Sequence, residues 1–115
     1  MELRMNGRNA LVTGGSKGIG LAIARSFAQA GANVALVARK QQGLDEAKGQ
    51  IAAKANTKVI TIAADVGTAG GCRTAYEEAA KALGQIDVLV NNAGTSQRGP
   101  FVEITDEVWQ HDIDL

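Results

Sequence analysis

Eight consecutive residues, Thr13-Gly14-Gly15-Ser16-Lys17-Gly18-Ile19-Gly20, combine four glycines with two hydroxyls and an ammonium group. They follow the apolar run Ala10-Leu11-Val12 and open an amphipathic stretch over residues 21–30. A strand that turns through glycines into a helix presents bare backbone N–H groups at a positive helix end, where a pyrophosphate binds readily. The spacing Gly14-x-x-x-Gly18-x-Gly20 divides the work. Gly14 takes the tight turn off the strand, Gly18 lets backbone approach phosphate, and Gly20 lets the helix lie close to the sheet. A nucleoside-triphosphatase loop needs Gly-Lys-Ser/Thr after four intervening residues, and the fifth position after Gly14 is Ile19. A methyltransferase wants an acidic residue after the second strand, where this chain has Arg39-Lys40.

That basic pair carries the next expectation. A carboxylate about twenty residues past the loop selects the free ribose hydroxyls of NAD, whereas an arginine accommodates a 2′-phosphate. Arg39, with Ser16 and Lys17 in the loop, predicts NADP(H) over NAD(H); the alternative is a solvated helix start. Asp65-Val66 ends a third apolar run, Ile60-Thr61-Ile62-Ala63-Ala64. Its carboxylate suits an adenine amino group and Val66 the ring face, or the pair simply begins a turn with Gly67 and Thr68. Asn91-Asn92-Ala93-Gly94 places small residues and amides after a fourth run, leaving room for a ribose or making an ordinary turn.

The elements that must position these residues alternate. Strands are expected at residues 8–13, 33–38, 57–64 and 86–90. Helices are expected at 18–30, 41–55 and 68–83, with a further one over 104–115 and Thr105 as its N-cap. Gly31 stands where a left-handed helix cap is usual. The run Asn33-Val-Ala-Leu-Val-Ala38 is almost continuously apolar, as in a parallel strand covered on both faces. This alternation predicts a doubly wound parallel α/β sheet of Rossmann type with strand order 3-2-1-4. Its switch point lies between the first and fourth strands, where Thr13–Gly20 and Asn91–Gly94 converge.

Composition bounds the rest. The 115 residues allow one domain, and 12 basic against 12 acidic side chains give no global field for nucleic acid or an anionic membrane. No apolar run approaches the ~20 residues that span a bilayer, and the first seven residues lack a signal-type apolar stretch, so the expected location is cytoplasmic. The single Cys72 excludes an internal disulfide and any cysteine-based metal site. It is expected as a small, buried or half-buried apolar residue. No metal site is expected.

The glycine loop, Asp65-Val66, Asn91-Asn92-Ala93-Gly94 and the spacings between them closely resemble the short-chain dehydrogenase/reductase family from about residue 8 to residue 115. The overall look is similar to its 3-oxoacyl-carrier-protein reductase-like branch, which prefers NADPH. The resemblance implies that Gly14, Ser16, Lys17, Gly18, Ile19 and Gly20 hold the dinucleotide phosphates and ribose. Arg39 would take the 2′-phosphate, Asp65 and Val66 the adenine, and Asn91, Ala93 and Gly94 the ribose near the fourth strand. It further implies hydride transfer between nicotinamide and a small carbonyl or alcohol substrate, in a homodimer or homotetramer. The family's catalytic Ser and Tyr-x-x-x-Lys lie beyond this segment and have no match here. Residues 1–115 are therefore expected to be an NADP-binding portion that stops before the catalytic region. The alternative is a non-catalytic NADP(H)-binding module or a split subunit.

Internal substitutes for the missing pair are poor. Tyr76 and Lys81 are five apart, which leaves them roughly 140° apart around a helix, so Tyr76 is expected as a packing residue. His111 has no well-placed carboxylate partner and reads as an exposed helical histidine. A sheet ending at the fourth strand would leave an unpaired edge, and Val108, Trp109 and Ile113 little to pack on, so association is expected.

Overall fold

The computed structural model describes residues 4–14, 16–92 and 101–104. Five strands and three helices follow in the order β1 (Asn9–Thr13), α1 (Gly18–Gln29), β2 (Asn33–Ala38), α2 (Gln41–Ala52), β3 (Val59–Ala63), α3 (Ala69–Leu83), β4 (Val88–Asn91) and β5 (Phe101–Ile104). The sheet order is β3-β2-β1-β4-β5. The first four strands are parallel in the expected 3-2-1-4 order, with Leu11 opposite Ala35 on one side and Leu89 on the other. The fold is a Rossmann-type doubly wound α/β sheet.

Strand periodicity sorts the core into two faces. Ala10, Val12, Val34, Leu36, Val88 and Val90 point to the side covered by Ala24 and Ala28 of α1 and Leu44, Ala47 and Ile51 of α2. Leu11, Ala35, Val37 and Ile62 point to the other side, against Ala75 and Ala79 of α3. Every residue of β1 is buried, as a central strand of a doubly covered sheet requires. Alanines at the contact positions of α1 and α3 let both helices lie close to the sheet.

The amino ends of the strands are tied by a polar ladder. Asn9 N–H donates to Asp87 Oδ2 at 2.9 Å, and Asn9 Nδ2 donates to the carbonyls of Leu83 (2.9 Å) and Gln85 (2.8 Å). Asn33 Nδ2 donates to Asn9 Oδ1 at 3.0 Å, and Asn33 Oδ1 accepts the Lys58 N–H at 3.0 Å. One set of side chains thereby fixes β4, β1, β2 and the segment leading into β3 in register.

Several expectations need correction. The sheet does not end at β4. Phe101–Ile104 pairs antiparallel with it, Asn91 opposite Phe101 and Val88 opposite Ile104, so Ile104 is a strand residue and the β4 edge is covered. Apolar, β-branched Phe-Val-Glu-Ile supports a short strand, which its four-residue length concealed. The helix expected beyond it, with Thr105, Val108, Trp109, His111 and Ile113, lies outside the described residues. Cys72 is exposed, its thiol 3.0 Å from the Val66 carbonyl, because Ala75 and Ala79 occupy the sheet-facing positions of α3. Tyr76, one position past Ala75, is 50% exposed rather than packed away. The second helix closes at Ala52, short of residue 55. Gly31 has φ +106° after α1, as expected of a helix-terminating glycine. No described helix is long and apolar enough to cross a membrane.

Candidate functional site

The carboxyl ends of β1, β2 and β3 and the helices that follow β1 and β2 enclose a groove of about 780 Å³. The β1 loop begins with Gly14, whose φ of +66° is one that L side chains rarely adopt, and its N–H bonds the Val37 carbonyl at 2.8 Å. Lys17, in extended conformation (φ −159°, ψ 168°), is the N-cap of α1. Gly20 then lies under the loop. A Cβ there would collide with the Gly14 carbonyl oxygen and come within 2.7 Å of Asn92 Nδ2, so only glycine lets the helix start this close to the strand end.

The two helix starts at this groove differ from the third. Neither α1 nor α2 has a side-chain cap or an acidic residue in its first turn. At α3 the Thr68 hydroxyl accepts from Gly71 N–H at 2.9 Å. The first-turn donors of α1 and α2 are thus left to water or an incoming anion. Lys17, Arg39 and Lys40 line the same groove, and no ion pair ties them to a carboxylate among the described residues. A chain of zero formal charge gathers three cations here, with Asp65 and Glu46 the only carboxylates among the lining residues.

Of the residues singled out from the sequence, Gly14, Ser16, Lys17, Arg39, Asp65 and Val66 come together on this groove. The turn expected at Asp65 is present. One oxygen, Oδ1, accepts the Gly67 N–H at 2.9 Å in a tight turn, while the side chain lines the groove and Oδ2 has no partner among the described residues. Gly18 and Ile19 belong to the first turn of α1, with Ile19 59% exposed. Asn91 faces away from the groove, toward a recess of about 610 Å³ beside α3 that Leu11, Val66 and Tyr76 also line. Ala93 and Gly94 lie outside the described residues.

Two parts of the site were given no role of their own from the sequence. Thr13 joins the β1 and β4 loops: its hydroxyl accepts Asn92 N–H at 3.0 Å and lies 3.1 Å from Asn91 Oδ1, while Asn92 Nδ2 reaches the Gly14 carbonyl at 3.4 Å. The second part is the face of α2 that carries Gln42, Gly43 and Glu46. The available signal was their i, i+1, i+4 spacing directly after Arg39-Lys40, which puts all three on one side of a helix.

Residues 8–115 match the family model of the short chain dehydrogenases. The chain belongs to that family. It is 34% identical over 97% of its length to a short chain dehydrogenase of Pseudocercospora fijiensis, and 38% identical over 95% to the L-xylulose reductase of Bos taurus. The chain spans 37% and 41% of those two proteins. Among solved structures, the L-sorbose reductase of Gluconobacter frateurii, complexed with NADPH and L-sorbose, superposes with a TM-score of 0.77 at 39% identity. That match covers 96% of this chain and 42% of the reductase. The Pseudomonas aeruginosa RhlG/NADP complex gives a TM-score of 0.74 at 36% identity, covering 84% of this chain and 38% of that one.

Proposed function

We propose that residues 1–115 form the NADP(H)-binding portion of a short chain dehydrogenase that transfers a hydride between nicotinamide and a small carbonyl or alcohol substrate. The observation that carries this reading is the groove in which Lys17, Arg39 and Lys40, without an ion pair among the described residues, stand beside two helix starts that lack side-chain caps. The donor set fits an adenosine 2′-phosphate. Three cations and a serine hydroxyl suit the phosphate, the free oxygen of Asp65 suits an exocyclic amino group, and Val66 offers an apolar wall. Gly14, Gly18, Ile19 and Gly20 bring the α1 donors to the bridging phosphates. By the family resemblance the ribose is assigned to Asn91, which lines the recess beside α3, and to Ala93 and Gly94, which lie outside the described residues.

The bound nicotinamide supplies the hydride chemistry; this part of the chain supplies position and charge. Arg39 and Lys17 select the 2′-phosphate, each charge-assisted hydrogen bond contributing about 1.5–3 kcal/mol, or roughly ten- to a hundred-fold in affinity. The NADPH and NADP complexes of the sorbose reductase and RhlG support the same preference. The protein is proposed to be cytoplasmic and homo-oligomeric, without nucleic-acid or membrane partners. Replacing Arg39 by Asp and titrating both cofactors tests the central assignment. The expected result is an NADPH dissociation constant raised by about 10- to 100-fold with NADH no weaker; an unchanged preference refutes it.

A further inference from the structure

Gly43 has no backbone reason to be glycine. It is the third residue of α2 and is not among the described glycines with positive φ. A glycine within a helix weakens it relative to alanine, so its presence calls for another cause. The surroundings supply one. A Cβ built at position 43 would lie 3.4 Å from Ser16 Cβ and 3.6 Å from Ser16 Oγ, so the first atom of any side chain already touches the β1 loop. Gly49, six residues on in the same helix, would meet nothing within 4 Å. Gly43 lines the groove together with Ser16, Lys17 and Arg39.

We propose that Gly43 is a specificity-determining position, whose missing side chain leaves the Ser16 hydroxyl and the groove beside it open to the 2′-phosphate. The inference rests on the NADP(H) reading above. Charge-assisted hydrogen bonds to a phosphate are short, about 2.7–2.9 Å, and a side chain wedged between donors and anion breaks them. A methyl group at 43 narrows the space and shades the Ser16 hydroxyl. A longer side chain fills it. NADH has no group at that place and loses less.

Fluorescence titration with NADPH and with NADH, paired with thermal unfolding, tests this on the wild type and on Gly49→Ala, Gly43→Ala and Gly43→Leu. Gly49→Ala is expected to raise the melting temperature by roughly 2–8 °C and leave both dissociation constants unchanged. Gly43→Ala is expected to melt no lower than the wild type yet bind NADPH about 2- to 5-fold more weakly, and Gly43→Leu more than about 10-fold, with NADH affected several-fold less. NADPH binding unchanged in both Gly43 variants overturns the proposal, as does an equal loss for NADH. If Gly43→Leu does not fold, Gly43→Ala decides, since its Cβ is accommodated at contact distance. A wild type without preference for NADPH overturns the NADP(H) reading and this proposal with it, a result distinct from failure at position 43 alone.

Discussion

The Thr13 hydroxyl is one oxygen on which two loops depend. It accepts the Asn92 amide, and its neighbours Asn91 Oδ1 (3.1 Å) and the Val90 carbonyl (3.4 Å) compete for its proton. Thr13→Val keeps the shape but strands the Asn92 N–H in a part-buried place. The expected cost is about 1–3 kcal/mol by urea unfolding, accompanied by weaker NADPH binding. Glu46 acts in the opposite sense. It is the α2 carboxylate on a groove lined by three cations, so Glu46→Gln is expected to tighten NADPH about 2- to 3-fold at low salt and less at high salt. A weaker or salt-independent response would remove Glu46 from the phosphate's field. The place of Arg39 and Lys17 on the groove was legible in the sequence because each stands just past the carboxyl end of a strand. Thr13 and Glu46 were not, since a threonine inside a strand and a glutamate on a helix are common, and only tertiary placement gives them a role.

At the level of elements, the central strands could be read from the chain because a parallel strand buried on both faces is apolar at nearly every position, as in Val34-Ala35-Leu36-Val37. The fifth strand could not. Its four residues join the sheet only because β4 presents a free edge, and Phe-Val-Glu-Ile carries no periodicity long enough to separate strand from helix. The α2 face on the groove was hidden for a related reason: a glycine within a helix signals only lower helix propensity, and the closeness of Gly43 to Ser16 exists only after β1 and β2 are paired. Capping also works at this scale. The Thr68 cap lets α3 start without an external ligand, so Thr68→Ala is expected to destabilise the protein by about 1 kcal/mol in thermal or denaturant unfolding while leaving NADPH affinity unchanged. A loss of affinity would tie the α3 start to the groove.

Across the whole molecule the two edges of the sheet divide the labour. The amino edge is closed by the Asp87–Asn9–Asn33 ladder of internal hydrogen bonds. The carboxyl edge leaves the α1 and α2 starts without side-chain caps and Lys17, Arg39 and Lys40 without an ion pair among the described residues, an arrangement that the proposed phosphate would complete. Asn9→Ala removes the donors to two carbonyls and the acceptor of Asn33, and is expected to cost about 1–3 kcal/mol in unfolding while the cofactor constants stay fixed. The central claim is that the groove beside Lys17, Arg39 and Lys40 holds an adenosine 2′-phosphate. It is tested most directly by calorimetric titration of the wild type with 2′,5′-ADP against 5′-AMP, two ligands that differ by that phosphate alone. 2′,5′-ADP is expected to bind about 10- to 100-fold more tightly, with the advantage shrinking as salt is added. Equal affinities for the two would contradict it.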